Sequence, residues 1–407
     1  MIFMSKKSIE SKCLRFLKNS SSNTIKSYIQ AINKYENFHG LTTEELVLEA
    51  LDEQDKQVPQ HRLKIIERIE SFQDWLMDQD YVIGTIRHHL IKIKSIYRKN
   101  RILIPYIEPI NPHLCNKRET IEYTDILTKE EIKTTLPLMR LPLQARVMVM
   151  VQGGLSNEEC EHLTTRLFID ETYPYHQKEN DLEALEWLQN ENNPIIWVTK
   201  LIRVKTGKPY YALIGAEAVN KIASAKLYEY NLRGVISDKL LNTHKLSLNR
   251  ACSEINSKCG FGKAGNTNRF RPHMLRKFHA TYIRGSVLSY EENSLTLSQI
   301  DELQGRGKTS VQDTYIKTNP FEQKILYAKV MNNVSLYHEY EYEIVDGDVI
   351  IRVKDPLLET RKLRDEVKNL SHQLENKRRA SLKVQKLRKE LGDDAFKELI
   401  GEILNGF

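Results

Sequence analysis

The hydrophobic residues of the first hundred positions predict a bundle of helices. In three stretches they recur every three or four residues, the spacing that places side chains on one face of a helix. Thr24 precedes the first stretch and is a suitable helix cap. The three sets are Ile25, Tyr28, Ile29, Ile32 and Tyr35, then Ile65, Ile66, Ile69, Phe72 and Leu76, and finally Ile86, Leu90, Ile93 and Tyr97. We therefore predict a helical domain over residues 1–107.

The pattern changes after this domain. Pro105, Pro109 and Pro112 lie across the end of the domain and no periodicity follows, which predicts a linker over 108–127. Thr128, with Glu131 three residues later, forms a capping box that marks the first helix of a second domain, over 128–335. The elements predicted there are a buried helix through 147–151, strands over 195–202 and 210–214, and helices over 216–230 and 297–303. The predicted fold class is mainly α with small β-sheets.

The chain after residue 335 differs from the rest. Residues 340–353 alternate around Asp346-Gly347, which predicts a β-hairpin. A basic helix follows over 357–391, with an apolar seam that keeps coiled-coil spacing for fewer than four heptads. Both a helix packed on its own domain and an intermolecular coiled coil fit this pattern. We predict a hairpin and basic helical extension over 336–407.

Composition narrows the function only slightly. The 407 residues carry a formal net charge of +7, which is compatible with nucleic acid as a partner and also with many other functions. The five cysteines are scattered without metal-ligand spacing, which indicates reduced thiols. We find neither a signal peptide nor an apolar run of membrane-spanning length, so we expect a cytoplasmic protein without a membrane partner.

The third helix of the first domain has a basic face. Its cations are interrupted by no acid, and they include Arg87, Lys92, Lys94 and Arg98. A solvated surface is the ordinary explanation for such a run. Contacts with nucleic-acid phosphates are the alternative, and the candidate chemistry further along the chain favours it.

That chemistry is concentrated between residues 271 and 320. His273 and Arg276 lie one helical turn apart in Arg-Pro-His-Met-Leu-Arg, so both can reach one phosphate. Arg306 follows in Leu-Gln-Gly-Arg, and Tyr315 comes nine residues later. A tyrosine hydroxyl with no metal motif nearby is a suitable nucleophile for a phosphodiester.

These stretches resemble the second and third signature boxes of the tyrosine recombinase (λ-integrase) superfamily. The sequence around Arg306 and Tyr315, followed by Ile-Lys-Thr-Asn-Pro320, is most similar to that of the archaeal and archaeal-virus branch. The resemblance covers roughly residues 20–335. It implies a helical, SAM-like core-binding domain, then the catalytic domain, and it leaves the extension after 335 without a counterpart.

The resemblance also implies roles for individual residues. Tyr315 would attack DNA to give a 3′-phosphotyrosyl intermediate, and Arg276 would clamp the phosphate. His273 would bond the same phosphate or act as a base. Lys205, in the turn between the two strands, would protonate the leaving oxygen, with Lys208 as the alternative acid. Arg306 would bind phosphate where most members have histidine. Further phosphate contacts fall to Lys208, Arg271, Lys277 and Lys308, and no metal or cofactor is implied.

The first box departs from the family pattern. The segment from Gly153 to Leu163 has Ser156 or Asn157 where the family has a second phosphate-binding arginine. Neither residue brings a charge. Arg146 and Arg166 lie nearby in the sequence and could substitute.

We therefore expect a site-specific DNA recombinase or integrase of a mobile element or virus, associated with the nucleoid. Its partner would be double-stranded DNA carrying attachment sites, on which the family assembles a homo-tetramer. Two other functions stay open. A weakened or inactive DNA-binding relative is favoured by the first box, and a type IB topoisomerase-like enzyme shares the chemistry.

Overall fold

The chain is mainly α-helical with small antiparallel sheets, which confirms the predicted fold class. The computed structural model describes residues 12–79, 81–111, 121–285, 295–306 and 319–354, together with Lys389 and Gly392. The predicted helix over 357–391 therefore lies outside the described residues, apart from Lys389. The chain divides into two compact units. The first comprises Met1–Asp125 and Lys263–Asn268, and the second comprises Ile126–Gly262 and Arg269–Phe407.

Four helices surround the core of the first unit. They are α1 (Ser22–His39), α2 (Thr43–Asp55), α3 (Lys64–Asp78) and α4 (Ile83–Lys99), preceded by a 3₁₀ helix over Lys12–Asn19. The predicted apolar faces of α1, α3 and α4 supply much of the core. The prediction of Thr24 as the cap of α1 was wrong, because the hydroxyl of Ser21 accepts the Thr24 N–H at 3.2 Å and the helix begins at Ser22. Helix α2 was missed, although Thr42 and Glu45 form a capping box at its start.

The second unit is built around one buried helix. The helices of this unit are α5 (Lys129–Thr135), α6 (Leu141–Gly153), α7 (Thr165–His176), α8 (Asp181–Gln189), α9 (Ala216–Arg233), α10 (Lys245–Lys258), α11 (Pro272–Tyr282), α12 (Leu297–Leu303) and α13 (Pro320–Val330). The predicted capping box of Thr128 and Glu131 is present at the start of α5. Every residue from Ala145 to Gly153 of α6 is buried, so this helix is the centre against which α9 and α11 pack.

Three two-stranded antiparallel sheets occur within the described ranges. Strands β1 (Trp197–Ile202) and β2 (Pro209–Ile214) pair from Trp197↔Ile214 to Ile202↔Pro209, so the turn between them holds Lys205. Strands β3 (Lys263–Ala264) and β4 (Thr267–Asn268) form a short hairpin in the first unit. Strands β5 (Tyr340–Val345) and β6 (Asp348–Val353) form the hairpin predicted around Asp346-Gly347.

The β5–β6 hairpin is tied to the rest of the second unit. The ammonium group of Lys324, on α13, donates to the Tyr175 hydroxyl at 2.6 Å and to the carboxylate of Asp348 at the start of β6. The chain leading into the hairpin is held by Glu217, whose carboxylate accepts the backbone N–H groups of residues 336–338. Residues 336–354 are therefore bonded to α7, α9 and α13.

Candidate functional site

Helix α11 positions the two residues of the second box. Pro272 occupies its first turn, where a missing N–H costs no hydrogen bond, and Met274, Leu275 and Phe278 bury its inner face. Arg276 points into the protein and is 6% exposed, whereas His273 reaches the surface. One helical turn separates them, so both face the same side of α11.

The guanidinium group of Arg276 is held by two partners. It donates to the Glu159 carboxylate at 3.0 Å and to the backbone carbonyl of Gln304 at 2.6 Å. The Glu159 side chain is itself only 3% exposed. Since a buried charge is costly without its partner, this ion pair joins the first box to the second.

The first box begins at a tight turn that requires glycine. Gly154 ends α6 with φ +64, and a Cβ at this position would overlap the imidazole ring of His279 on α11. Ser156 and Glu159 then form a capping box, in which the carboxylate accepts the Ser156 N–H at 2.7 Å and the hydroxyl accepts the Glu159 N–H at 3.2 Å. The side chain of Ser156 is thus occupied in forming the turn.

Arg146 is completely buried and serves the first box as a scaffold. It donates to the side chain of Asn157 at 2.8 Å and also to the Asn157 carbonyl, and it bonds Glu161 at 3.2 Å and both oxygens of Thr243. The other nearby arginine, Arg166, is exposed and pairs with Asp170 at 2.8 Å. Both arginines proposed as substitutes for the first-box residue therefore have other partners.

The end of α12 forms the third box. The amide nitrogen of Gln304 donates to Nδ1 of His279 at 2.8 Å, while its backbone carbonyl accepts from Arg276. Gly305 has φ +61, and a Cβ there would approach the Tyr210 ring to 2.7 Å. Arg306 follows, exposed, with its guanidinium 3.6 Å from Asp301.

A third arginine, Arg203, reaches this place from the end of strand β1. Its guanidinium donates to the carbonyl of Gly305, the residue that follows the Arg276 acceptor. We refer to Arg203, Arg276 and Arg306 as the arginine cluster. Sequence reasoning missed Arg203, because only the packing of the β1–β2 hairpin against α12, through Tyr210 and Gly305, brings it here.

The cluster brings together three cations and the carboxylates of Glu159 and Asp301, so one more positive than negative charge lies there. Burial lowers the pKa of Arg203 below its usual value, and the charge of Arg276 lowers it further. Desolvation likewise lowers the pKa of His273, and four neighbouring cations add to the effect. They are Lys277, Arg271, Arg276 and Arg306. The imidazole of His273 is therefore neutral near pH 7, and an anion bound beside it would relieve the repulsion.

The other predicted residues of the second unit have more varied positions. Lys205 is exposed in the β1–β2 turn, three residues before the half-buried Lys208. Arg271 precedes the first residue of α11 and Lys277 lies in its second turn, and both are half-buried. Tyr315 and Lys308 lie outside the described residues.

The predicted basic face of α4 belongs to the first unit. Arg87 and Arg98 are exposed, and the ammonium of Lys92 lies 4.6 Å from the centre of the Tyr28 ring. Burial lowers the pKa of Lys94, and the charge of Arg98 lowers it further, against an opposing influence of Glu70. Two of the four cations are therefore fully available for an anionic partner, and the other two are partly engaged with the protein.

Two surveys of the described ranges gave negative results. No group of three or more His, Cys, Asp or Glu side chains is arranged to hold a metal ion there. Among the helices in those ranges, none is both long enough and apolar enough to cross a bilayer.

Comparison with known proteins gives similarities of structure only. Neither a protein-family model nor a curated protein sequence matches the chain. The XerA recombinase is similar with 17% identity and a TM-score of 0.31, over 75% of this chain and 91% of that one. The integrase of transposon Tn1549, in complex with transposon right-end DNA, has 13% identity and a TM-score of 0.44, over 78% and 94%. A lambda integrase tetramer bound to a Holliday junction has 11% identity and a TM-score of 0.39, over 75% of this chain and 87% of that one. At these identities and scores, the similarity alone establishes no activity for this chain.

Proposed function

We propose that this chain is a site-specific DNA recombinase or integrase that cuts and rejoins strands through a 3′-phosphotyrosyl intermediate on Tyr315. The observation that carries the proposal is the gathering of Arg276, Arg306 and His273 at one positive place in the second unit. These are the residues that the second and third boxes assign to the phosphate. They come from two separate segments of the chain, α11 and the end of α12, and the charges of Arg276 and Arg306 both act on His273.

The reaction exchanges one phosphodiester for another. The phenolic oxygen of Tyr315 bonds to phosphorus, its proton passes to a base, and the bond from phosphorus to the 5′ oxygen breaks as that oxygen takes a proton from an acid. The 3′ phosphate stays esterified, to tyrosine, so rejoining needs neither ATP nor an added nucleotide. Arg276 and Arg306 stabilise the additional negative charge of the transition state.

His273 is suited to the role of base. A neutral imidazole can accept a proton, and the lowered pKa of His273 keeps it neutral near pH 7. The acid is assigned to Lys205, because its side chain is exposed in the β1–β2 turn and therefore accessible to a DNA backbone. Lys208 is the alternative acid from the same turn.

The basic residues outside the arginine cluster would hold the DNA backbone. Arg87, Lys92, Lys94 and Arg98 serve this role in the first unit, and Lys208, Arg271, Lys277 and Lys308 serve it in the second. The substrate is double-stranded DNA carrying the attachment sites of a mobile element or archaeal virus. The resemblance of the sequence boxes extends the proposal to a homo-tetramer assembled on paired sites.

A second candidate function, a DNA-binding relative without cleavage activity, is favoured by one observation. Ser156 and Asn157 hold no charge, and both side chains are bonded within the first box and its surroundings. A phosphate clamp with one charge fewer would bind DNA and cut it slowly or not at all.

Covalent trapping separates the two functions. Duplexes with random sequence on both sides of a fixed nick are incubated with the protein. The DNA that stays covalently attached to the protein after SDS denaturation is then sequenced. We expect an adduct with wild type and none with Tyr315→Phe. Tyr228→Phe, at an exposed tyrosine of α9, is the matched control and should keep the adduct.

The alternatives give other results. An adduct that persists in Tyr315→Phe would place the nucleophile elsewhere. Binding of duplex DNA by wild type without any adduct would favour the non-catalytic relative.

A further inference from the structure

Strand β1 delivers an arginine to the place where the first box lacks one. Arg203 donates to the Gly305 carbonyl, and Arg276 donates to the Gln304 carbonyl. Adjacent residues have Cα atoms about 3.8 Å apart, so the two guanidinium groups are anchored to neighbouring peptide units. Two forks held this closely can bind different oxygens of one phosphate.

The remaining arginines near the first box are committed elsewhere. Arg146 uses its donors on Asn157, Glu161 and Thr243 inside the protein, and Arg166 pairs with Asp170 at the surface. Within the part of the chain that the structure describes, the bond to Gly305 is the hydrogen bond found for the Arg203 guanidinium. A guanidinium has five N–H donors, so within the described ranges most donors of Arg203 bond no protein group and could face a ligand.

Partial burial strengthens the electrostatic attraction of the Arg203 guanidinium for a bound anion. Arg203 is half-buried beside Tyr210 and Arg276, where solvent screens charges less than at the surface. The charges of Arg276 and Arg306 disfavour the Arg203 cation and that of Glu159 favours it, so an anion bound at the cluster would add to the stabilisation that Glu159 gives.

We propose that Arg203 is the second phosphate clamp of the proposed cleavage reaction, in place of the arginine that the first box lacks. The inference rests on the proposed function. It also gives the β1–β2 hairpin two tasks, because Lys205, the assigned acid, follows Arg203 by two residues in the same turn. One hairpin would then bring both a clamp and a proton donor to the scissile phosphate.

The test compares two substrates. Cleavage rates at saturating protein are measured on a nicked duplex selected as above and on the same duplex with a methylphosphonate at the scissile position. The methyl group removes the anionic oxygen that a clamp neutralises. We expect Arg203→Ala to cut the ordinary duplex about 10²–10³-fold more slowly than wild type. On the methylphosphonate the deficit should shrink by about tenfold or more, because the missing charge is no longer needed.

Controls separate chemistry from folding. Arg166→Ala removes an exposed arginine outside the cluster and should match wild type on both substrates. Arg203→Lys keeps the charge and loses the fork, so its rate should lie between wild type and Arg203→Ala. Thermal unfolding of each variant identifies any loss of fold, and the ratio of rates on the two substrates is unaffected by the fraction of folded protein.

The outcomes are distinct. An unchanged rate for Arg203→Ala, or an equal deficit on both substrates, overturns the clamp and leaves the proposed function standing, with Arg203 as a tie between β1 and Gly305. If the wild-type protein forms no covalent adduct on any selected duplex, both the proposed function and this inference are wrong.

Discussion

The buried ion pair of Glu159 and Arg276 joins the first box to the second, and Glu159→Ala tests how much this pair stabilises the second unit. The carboxylate has two tasks, since it bonds Arg276 at 3.0 Å and accepts the Ser156 N–H at 2.7 Å. Both side chains are almost completely buried, with 3% of the Glu159 side chain and 7% of the Arg276 side chain exposed. Removing one partner of a buried pair leaves an uncompensated charge, which typically costs about 3–5 kcal/mol.

The assay is urea unfolding of the second unit followed by tryptophan fluorescence. Trp187 and Trp197 lie in this unit and Trp75 in the other, so a Trp75→Phe background isolates the signal. The free energy of unfolding should fall by about 3–5 kcal/mol in Glu159→Ala. In Glu159→Gln it should fall less, because the amide oxygen can still accept hydrogen bonds.

The matched control is Glu130→Ala. The Glu130 side chain is 76% exposed and pairs with Lys133 at 3.0 Å. A pair of this kind contributes about 0–1 kcal/mol, so the control should unfold nearly as wild type does. If Glu159→Ala also stayed within about 1 kcal/mol of wild type, the buried pair would not hold the first and second boxes together.

Four further predictions concern other groups of the second unit. Burial lowers the pKa of His279 from 6.5 to about 3, so the native state keeps it neutral while an unfolded chain protonates it below 6.5. The free energy of unfolding should therefore fall as pH drops from 6.5 towards 3, and His279→Gln should flatten that slope; an unchanged slope would contradict the assignment. Gly154→Ala should destabilise the second unit, since its Cβ would overlap His279 at a positive φ, and a melting temperature equal to wild type would exclude this packing. If His273 is the base, the cleavage rate should fall as pH drops below its lowered pKa, and a His273→Gln variant with the same acid limb would assign that limb to another group. Lys205→Ala should cleave a 5′-phosphorothiolate duplex nearly as fast as wild type does, because sulfur leaves without a proton, whereas rescue of Lys208→Ala instead would move the acid.

Local signals in the sequence predicted much of the fold. The capping box of Thr128 and Glu131, the Asp346-Gly347 turn and the apolar run through 147–151 each specify an element within a few residues. Helix α2 carries the same kind of signal in Thr42 and Glu45, and its acid-rich sequence was overlooked. Thr24 was wrong as a cap by three positions, because Ser21 offers an equally good hydroxyl earlier in the chain.

The site was less accessible to sequence reasoning. His273, Arg276 and Arg306 lie in segments with a recognisable sequence motif. Arg203, directly after strand β1, lies in no such motif. Its position depends on Gly305, whose missing Cβ lets the hairpin approach through Tyr210. The scaffold role of Arg146 was equally hidden, since its partners Asn157 and Thr243 lie 11 and 97 residues away along the chain. Such contacts are decided by tertiary packing and leave no local pattern.

The carboxylate of Glu217 decides where this polypeptide can be shortened. It is 6% exposed, and it accepts the N–H groups of Leu336, Tyr337 and His338 at 2.8, 2.7 and 2.8 Å. A chain stopped at residue 335 would keep the buried anion and lose these three donors. The N–H of Lys354 donates to the Glu339 carbonyl at 2.8 Å and closes the hairpin. A truncation placed before Lys354 would therefore break bonds that fold the hairpin and tie it to α9, so residues 336–354 belong to the body of the second unit.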